Sequence, residues 1–260
     1  MDMTTLADKR AAWNKIPALT LLFWITKITA TTLGETGGDL LAQTLGVGYA
    51  TSTLIFFTFF LVMLAFQLAA KRYLAPVYWA VIVATSTAGT TMSDYMDRTL
   101  ELGYATGSLI LVSLLVLILI IWRAVEGSLS VSHIHSRRGE VFYWIAILVS
   151  NTLGTALGDF LADDSGLGFG GSAALISGVL LLIILAYYFT RISRVVLFWI
   201  AFVLTRPFGA TFGDLLTKAK EKGGLGYGTT IATVILLALL IALVIYETVK
   251  VNKEQQATLR

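Results

Sequence analysis

One pattern occurs four times along this chain, and it constrains the fold more than any other feature. A tryptophan is followed ten residues later by a glycine and fifteen residues later by an aspartate, with a small residue before each aspartate. The pattern comprises Trp24, Trp79, Trp144 and Trp199, then Gly34, Gly89, Gly154 and Gly209, then Asp39, Asp94, Asp159 and Asp214. Four matching frames predict four tandem copies of one structural unit.

Hydropathy assigns two helices to each copy, because a bilayer is crossed by about 20 mostly apolar residues. Eight segments fit: 18–39, 48–70, 77–94, 103–122, 142–160, 168–190, 195–215 and 227–249. Only 13% of the residues are charged, whereas a soluble domain carries about 25%. We therefore predict an all-α integral membrane protein with eight transmembrane helices. The odd helices contain Gly, Thr and acidic residues and should line an interior, and the apolar even helices should form an outer wall.

The predicted organisation is four repeats flanked by polar segments. Its parts are an N-terminus at 1–17, repeats at 18–72, 73–124, 141–192 and 193–249, a loop at 125–140 and a tail at 250–260. The tryptophan spacings of 55, 65 and 55 residues group the repeats into two halves around that loop. Because each repeat contains two helices, every copy enters the membrane in the same direction. The symmetry axis should lie along the membrane normal, unlike that of inverted repeats.

Loop charge predicts the orientation. The side that carries both termini holds 13 Lys/Arg and 6 Asp/Glu, and the opposite loops with the adjoining helix ends hold 4 and 10. The positive-inside rule then places both termini in the cytoplasm. No cleavable signal peptide is expected, because the first apolar run is long enough to span. Fifteen residues of helix rise about 22 Å, so the aspartates should lie toward the outer surface.

Aromatic and histidine residues suggest further assignments. The four repeat tryptophans are predicted to be anchors at the cytoplasmic interface. A second set, which opens the even helices, should form the outer aromatic belt or gate the aspartates: Tyr49, Tyr104, Phe169 and Tyr227. His133 and His135 fall in the polar loop, and two such residues are better explained as solvated than as metal ligands.

Five carboxylates form the candidate metal site. Related by the predicted axis, Asp39, Asp94, Asp159 and Asp214 form a ring, and Glu35 adds a carboxylate one turn before the first of them. A charge at mid-membrane costs about 2.5–3.5 kcal/mol, and like charges repel. The ring therefore needs a bound cation or paired basic residues. Oxygen ligands suit Mg²⁺, Mn²⁺ or Ca²⁺, and the absence of cysteine argues against copper or a zinc–thiolate site.

Two basic residues inside predicted helices are the candidates for pairing with these acids. Lys27 lies two turns before Glu35, and Arg206 lies two turns before Asp214. The position of Arg206, seven residues after the tryptophan, is polar in every copy, and the other copies hold Thr31, Ser86 and Asn151. We predict charge-pairing or gating roles for these five residues. An alternative is purely structural: Gly and Asp as helix caps, and paired small residues as helix-packing contacts.

Residues 24–39 and their three echoes resemble a bacterial membrane-protein family defined by a tandem "repeat of unknown function". The resemblance covers about residues 18–249. It implies four repeats of two helices, each with a characteristic tryptophan, and a bacterial inner membrane. It implies no activity.

Function must therefore be inferred from the charged interior. The first hypothesis is a transporter or exporter of a small cation, a divalent metal such as Mn²⁺, coupled to protons because no ATP-binding motif is present. The alternatives are a passive proton or cation channel, and a membrane scaffold without transport. No enzyme activity or cofactor is expected, since no nucleophile–base pair or nucleotide loop is recognisable. The expected partners are lipid and a small cation or proton, and no nucleic acid at a formal charge of +3. A homo-oligomer is left open.

Overall fold

A computed structural model describes residues 15–131, 134 and 136–258, and eight α-helices without any β-strand run through that part of the chain. In chain order they are α1 Leu21–Asp39, α2 Tyr49–Ala69, α3 Ala75–Asp94, α4 Tyr104–Glu126, α5 Arg137–Asp159, α6 Gly168–Phe189, α7 Arg194–Thr217 and α8 Thr229–Thr258. The prediction of an all-α fold with two helices per repeat is confirmed. The predicted histidine loop is not tested, because His133 and His135 lie outside the described residues.

Helices α5 and α8 extend furthest beyond the apolar runs that predicted them. The first turn of α5 is polar, and the Ser136 side chain caps it by accepting a hydrogen bond from Gly139 N. At the other end of the chain, α8 continues to Thr258 through the polar tail. Hydropathy detects only the apolar part of a helix, whereas caps and helix propensity decide where it begins and ends.

The odd-numbered helices form a central bundle in the cyclic order α1, α3, α5, α7, with α7 packed against α1. Each even-numbered helix packs outside the bundle on the inner helix of the following repeat: α2 on α3, α4 on α5, α6 on α7 and α8 on α1. The repeats therefore interlock around a closed ring. The predicted division into an interior of odd helices and a wall of even helices is confirmed, since the outer helices are mostly exposed and the inner ones mostly buried.

The four inner helices run parallel. Aromatic rings meet at their beginnings, as in the contact between Trp24 and Phe198 with ring centroids 6.0 Å apart. Acidic residues meet at their ends, where the Arg98 guanidinium bridges Asp94 and Asp159. A π-helical turn follows α1, α3 and α5, at Leu40–Thr44, Tyr95–Thr99 and Phe160–Asp164. One end of the bundle is consequently aromatic and the other acidic.

The repeat glycines lie where neighbouring inner helices approach each other closely. A Cβ at Gly34 would overlap the Ser86 Cβ, and one at Gly154 would lie 2.5 Å from the Arg206 Cβ. The same contact joins the other two pairs, Gly89 with Asn151 and Gly209 with Thr31. Each repeat glycine thus packs against a residue of the neighbouring inner helix, the one that lies seven positions after the tryptophan of that helix. These glycines lie inside continuous helices, so the packing interpretation is confirmed and the capping interpretation is wrong for them.

Replacing Gly34 with alanine is expected to lower the free energy of unfolding by about 1–3 kcal/mol, because the new methyl group overlaps Ser86. Gly178→Ala in α6 is the matched control, since nothing lies within 4 Å of the position of its Cβ. There helix propensity predicts a gain of up to about 1 kcal/mol. Thermal unfolding of both purified variants measures the difference. Equal effects at the two positions would contradict the close packing of α1 on α3.

Six helices in the described part of the chain are long and apolar enough to cross a membrane, namely α2, α4, α5, α6, α7 and α8. The predicted apolar character is not found for α1 and α3. Lys27, Glu35 and Asp39 fall within α1, and α3 is rich in Thr and Ser. Both helices lie in the inner ring, where the outer helices cover them.

Candidate functional site

Side chains at intervals of four residues on each inner helix stack in layers, because this spacing keeps them on one face of a helix. Counted from the repeat tryptophan, the layers at three, seven, eleven and fifteen residues are buried in all four copies. From the aromatic to the acidic end these layers are Lys27/Ile82/Ile147/Phe202, Thr31/Ser86/Asn151/Arg206, Glu35/Thr90/Thr155/Ala210 and Asp39/Asp94/Asp159/Asp214. A fifth layer, Gln43/Arg98/Asp163/Lys218, is more open to the surroundings. The inner bundle therefore encloses a polar axis.

Arg206 lies at the centre of this axis and contacts groups from all the other inner helices. Both terminal nitrogens of its buried guanidinium donate to Glu35 Oε2 at 3.0 Å. One of them also donates to Thr155 Oγ1 at 2.7 Å and to Thr90 Oγ1. The ion pair is buried on both sides, with side-chain exposures of 0% and 4%. Breaking one half of such a pair leaves an uncompensated buried charge.

Two cations of the fifth layer divide the aspartate ring into pairs. Lys218 Nζ lies 2.6 Å from Asp39 Oδ2 and 3.2 Å from Asp214 Oδ1. The Arg98 guanidinium lies 2.9 Å from Asp94 Oδ1 and 3.2 Å from Asp159 Oδ2. The second and fourth repeats thus each supply one cation, which bridges its own aspartate and that of the next repeat. The charges repeat with two-fold symmetry, as the predicted two halves imply.

Lys218 follows α7 directly and remains a cation at neutral pH. Burial lowers the pKa of its ammonium group, but the Asp214 and Asp39 carboxylates outweigh that effect and raise the pKa above its ordinary value. A loop specific to the fourth repeat holds Lys218 in place, since Gly226 N donates to the Lys218 carbonyl oxygen at 2.9 Å. The loop therefore sets the backbone position from which the Lys218 ammonium group reaches Asp39 and Asp214.

Lys27 is the deepest charge on the axis. Its Nζ donates to Asn151 Oδ1 at 3.5 Å and lies 4.2 Å from the centroid of the Phe202 ring. In the described part of the chain it makes no ion pair, and its side chain is fully buried. The other repeats hold apolar residues in the same layer. Lys27 therefore breaks the four-fold symmetry at the end of the axis next to the aromatic rings.

Three carboxylates converge closely enough to share a cation after a small adjustment. One oxygen each from Glu35, Asp39 and Asp214 lies within 4.8 Å of the other two. All three side chains are buried, and Lys218 Nζ lies beside two of them. Carboxylate oxygens suit hard divalent ions with metal–oxygen distances of about 2.0–2.6 Å. The residues present can therefore hold either a lysine ammonium or a metal ion.

A family model described as Repeat of Unknown Function (DUF347) matches the chain four times, at residues 22–73, 77–128, 142–193 and 197–250. The chain belongs to this family. The resemblance stated from the sequence is confirmed, and each DUF347 match contains one inner helix and the outer helix that follows it. No curated protein and no solved structure matches the chain. The site itself must therefore indicate the function.

The structure brings the predicted site residues of the four DUF347 repeats onto one axis. Of the two basic residues predicted to pair with the carboxylates, Arg206 pairs with Glu35 on the neighbouring helix α1. Lys27 pairs with no carboxylate among the described residues. Thr31 donates to the Thr205 carbonyl oxygen at 3.2 Å, and Asn151 donates to Thr85 Oγ1 at 2.9 Å. Ser86 accepts from Arg206 through its carbonyl oxygen at 3.4 Å.

The sequence interpretation missed Arg98 and Lys218, which it assigned to outer loops. Both lie four residues after a ring aspartate. The same interval of four residues separates the other layers, so the spacing alone would have placed Arg98 and Lys218 on the axis. The predicted apolar segments end before Arg98 and Lys218, which is why both residues were assigned to loops. Lys218 was counted among the basic residues of the outer loops and is in fact part of the site.

The prediction that the tryptophans anchor the chain at the membrane interface is wrong for three of them. Trp79, Trp144 and Trp199 are only 1%, 1% and 5% exposed. The Trp144 ring packs against Tyr78, which precedes Trp79, and the Trp199 ring packs against Tyr143, which precedes Trp144. Partners inside the protein satisfy two of their N–H groups: Trp79 Nε1 donates to Glu247 Oε2 at 2.7 Å, and Trp199 Nε1 donates to the Leu129 carbonyl oxygen at 3.0 Å. They close the inner bundle with an aromatic plug.

The predicted outer aromatic set does not form a uniform belt. Tyr227 is exposed, Tyr49 and Tyr104 are half-buried, and Phe169 is buried. The Tyr104 ring centroid lies 5.6 Å from the guanidinium carbon of Arg98. This ring therefore packs beside the cation of one aspartate pair.

Asp97 and Gly107 form a compensating pair in the second repeat. A Cβ at Gly107 would overlap Asp97 Oδ1 and lie 2.9 Å from its Cγ. The first and third repeats hold alanine and serine at the same two positions, as Ala42 with Ser52 and Ala162 with Ser172. The second repeat thus has a larger residue than alanine at the first position and a smaller residue than serine at the second.

Gly107→Ala is expected to destabilise the protein by about 1–3 kcal/mol, because the methyl group must displace the buried Asp97 carboxylate. The double variant Asp97→Ala with Gly107→Ser, which copies the first and third repeats, should unfold at a temperature close to that of the unmodified protein. Thermal unfolding compares them. If Gly107→Ala is as harmful in an Asp97→Ala background, the steric explanation is wrong.

Proposed function

We propose that this chain spans the inner membrane of a bacterium with eight helices and both termini in the cytoplasm, and that its charged axis transports a small cation. Six apolar helices and the asymmetric loop charges support the topology. The two remaining helices, α1 and α3, lie in the inner ring behind the apolar outer helices. Polar residues are tolerated at membrane depth where they face a protein interior.

The convergence of Glu35, Asp39 and Asp214 is the observation that carries the transport proposal. These carboxylates come from α1 and α7, and Lys218 Nζ already lies between two of them as a tethered cation. A free cation would compete with that ammonium group for the same oxygens. Lys218 is 21% exposed and follows the end of α7, so its side chain can move outward when the ion binds.

A divalent metal such as Mn²⁺ fits this site better than a larger or softer ion. The donors are carboxylate oxygens, which hard divalent ions prefer. Three formal negative charges surround the position, and Arg206 balances only that of Glu35. The sequence contains no nucleotide-binding motif, so a proton gradient would drive the movement. The remaining aspartates and Lys27 are then the candidates for carrying protons along the axis.

Metal accumulation in cells tests the transport proposal. Cells that lack the protein are expected to accumulate Mn²⁺, or another ion of a divalent panel, to a different level from cells that express it. Asp39→Asn removes a proposed ligand and should behave like the deletion, and Asp159→Asn tests the second aspartate pair. Unchanged accumulation across the whole panel, with both variants silent, would refute transport of these metals.

A second function has one observation in its favour. Each ring aspartate already lies beside a protein cation, and Glu35 pairs with Arg206. Such pairs could simply fix the register of the inner helices in a membrane scaffold. A scaffold predicts that Asp39→Asn changes thermal stability and leaves metal accumulation unchanged, which distinguishes it from a transporter.

A further inference from the structure

A cavity lies at the aromatic end of the bundle, away from the aspartate ring. Its volume is about 360 Å³, and it opens between the C-terminal end of α2 and the N-terminal end of α5. Gln67, Glu140 and Trp144 line its interior, and Lys15 from the segment before α1 lies against them. Both helices are apolar enough to cross a membrane. The cavity is therefore at the level where the head groups of a bilayer would lie.

Two residues that line the cavity each carry a buried polar atom for which the described residues offer no hydrogen-bond partner. One is a donor, Trp144 Nε1, and the other is an acceptor, Gln67 Oε1. Both residues are only 1% exposed. The matching indole groups of Trp79 and Trp199 both have acceptors within the protein. Buried polar groups are normally satisfied, so each unsatisfied one calls for an explanation. A polar ligand that offers both an acceptor and a donor would satisfy this pair.

The charges around the cavity favour an anionic group. Among the described residues that line the cavity the one carboxylate is that of Glu140, and it is paired with Lys15 Nζ at 2.8 Å. The same ammonium donates to the carbonyl oxygens of Gln67 and Leu68 at the end of α2. Lys71 and Arg137 also line the cavity, and both residues are exposed. The wall therefore carries an excess of positive charge, and basic pockets between helices bind lipid phosphates.

We propose that this cavity binds a phosphate ester that carries a hydrogen-bond donor close to its phosphate, the chemistry of glycerol and ethanolamine phospholipid head groups. The phosphate oxygens accept from Trp144 Nε1 and face Lys71 and Arg137. The hydroxyl or ammonium group donates to Gln67 Oε1. A choline head group carries a phosphate but no N–H or O–H donor, so it leaves the glutamine unsatisfied.

Native mass spectrometry of the purified full-length protein can test this site with three lipids of identical acyl chains. Phosphatidylglycerol and phosphatidylethanolamine should bind about tenfold more tightly than phosphatidylcholine, the usual effect of one satisfied buried hydrogen bond. Gln67→Leu should remove that preference. Titration with glycerol 3-phosphate and inorganic phosphate forms a second arm, and binding there that matches the lipids identifies a soluble ester as the natural ligand.

Three further variants keep the result interpretable. Trp144→Phe removes the unpaired donor, and Lys71→Gln, at an exposed position, should weaken binding of all three lipids without threatening the fold. Trp199→Phe is the matched control, because its indole donates to the Leu129 carbonyl oxygen and neither residue lines the cavity, and it should retain the lipid preference. Equal binding of the three lipids, a preference that survives Gln67→Leu, or an unchanged affinity for all three lipids in Trp144→Phe and Lys71→Gln would overturn the proposal. Neither result bears on metal transport at the aspartate ring.

Discussion

Arg206→Leu is expected to destabilise the protein by about 3–5 kcal/mol, the usual cost of leaving one member of a buried ion pair without its partner. The substitution strands the Glu35 carboxylate among Thr90, Thr155 and the helix backbones. It also removes the guanidinium whose donors join α7 to α1, α3 and α5. Thermal unfolding in a mild detergent measures the loss. No other single substitution on the axis breaks as many contacts between inner helices.

A double-mutant cycle isolates the ion pair from the other contacts of Arg206. Glu35→Leu combined with Arg206→Leu removes both charges, and apolar replacements of a buried pair are often tolerated. The double variant should therefore be more stable than Arg206→Leu alone. Arg72→Leu is the control, since Arg72 is exposed and surface substitutions usually change stability by less than about 0.5 kcal/mol. Additive losses from the two single variants would show that the pair is not coupled.

Lys218→Met is expected to strengthen Mn²⁺ binding by at least about tenfold, because it removes a charge-assisted competitor for Asp39 and Asp214. The methionine keeps the length of the side chain and lacks its ammonium group. Asp39→Asn should have the opposite effect. Isothermal titration of the purified protein with Mn²⁺ gives both affinities.

Lys222→Met is the matched control for Lys218→Met, since it makes the same change of charge in the same loop on an exposed residue. It should leave the Mn²⁺ affinity within about twofold, because exposed charges are largely screened. Equal effects of the two variants would mean that only the overall potential matters. A weaker affinity in Lys218→Met would show that the lysine supports the site instead of competing with the ion.

The repeat allowed much of this fold to be predicted. Four frames of Trp, Gly and Asp give four parallel copies, and the contrast between polar and apolar helices gives the inner ring and the outer wall. The order of packing around the ring could not be predicted, because periodicity within one helix does not specify its neighbours. The contact of Gly34 with Ser86 and that of Gly154 with Arg206 needed that order. The packing of each outer helix on the following repeat could not be predicted for the same reason.

The ion pairs were predicted less well for a related reason. Spacing along the chain identifies neighbours on the same helix, such as Arg206 and Asp214 two turns apart, and it does not identify a partner on another helix. Two turns correspond to about 11 Å along the axis, whereas Glu35 lies one layer from Arg206 on the adjacent helix. The burial of Trp79 and Trp144 could not be predicted either, because sequence alone does not distinguish a tryptophan at the membrane interface from one packed inside the end of a helix bundle.

Anomalous diffraction at the manganese edge, from crystals grown with Mn²⁺, tests most directly whether the axial carboxylates share a cation. The proposal predicts a peak between Glu35, Asp39 and Asp214, with Lys218 Nζ displaced from its present contacts with Asp39 and Asp214. The absence of a peak at that position, with Lys218 still bridging Asp39 and Asp214, would contradict it.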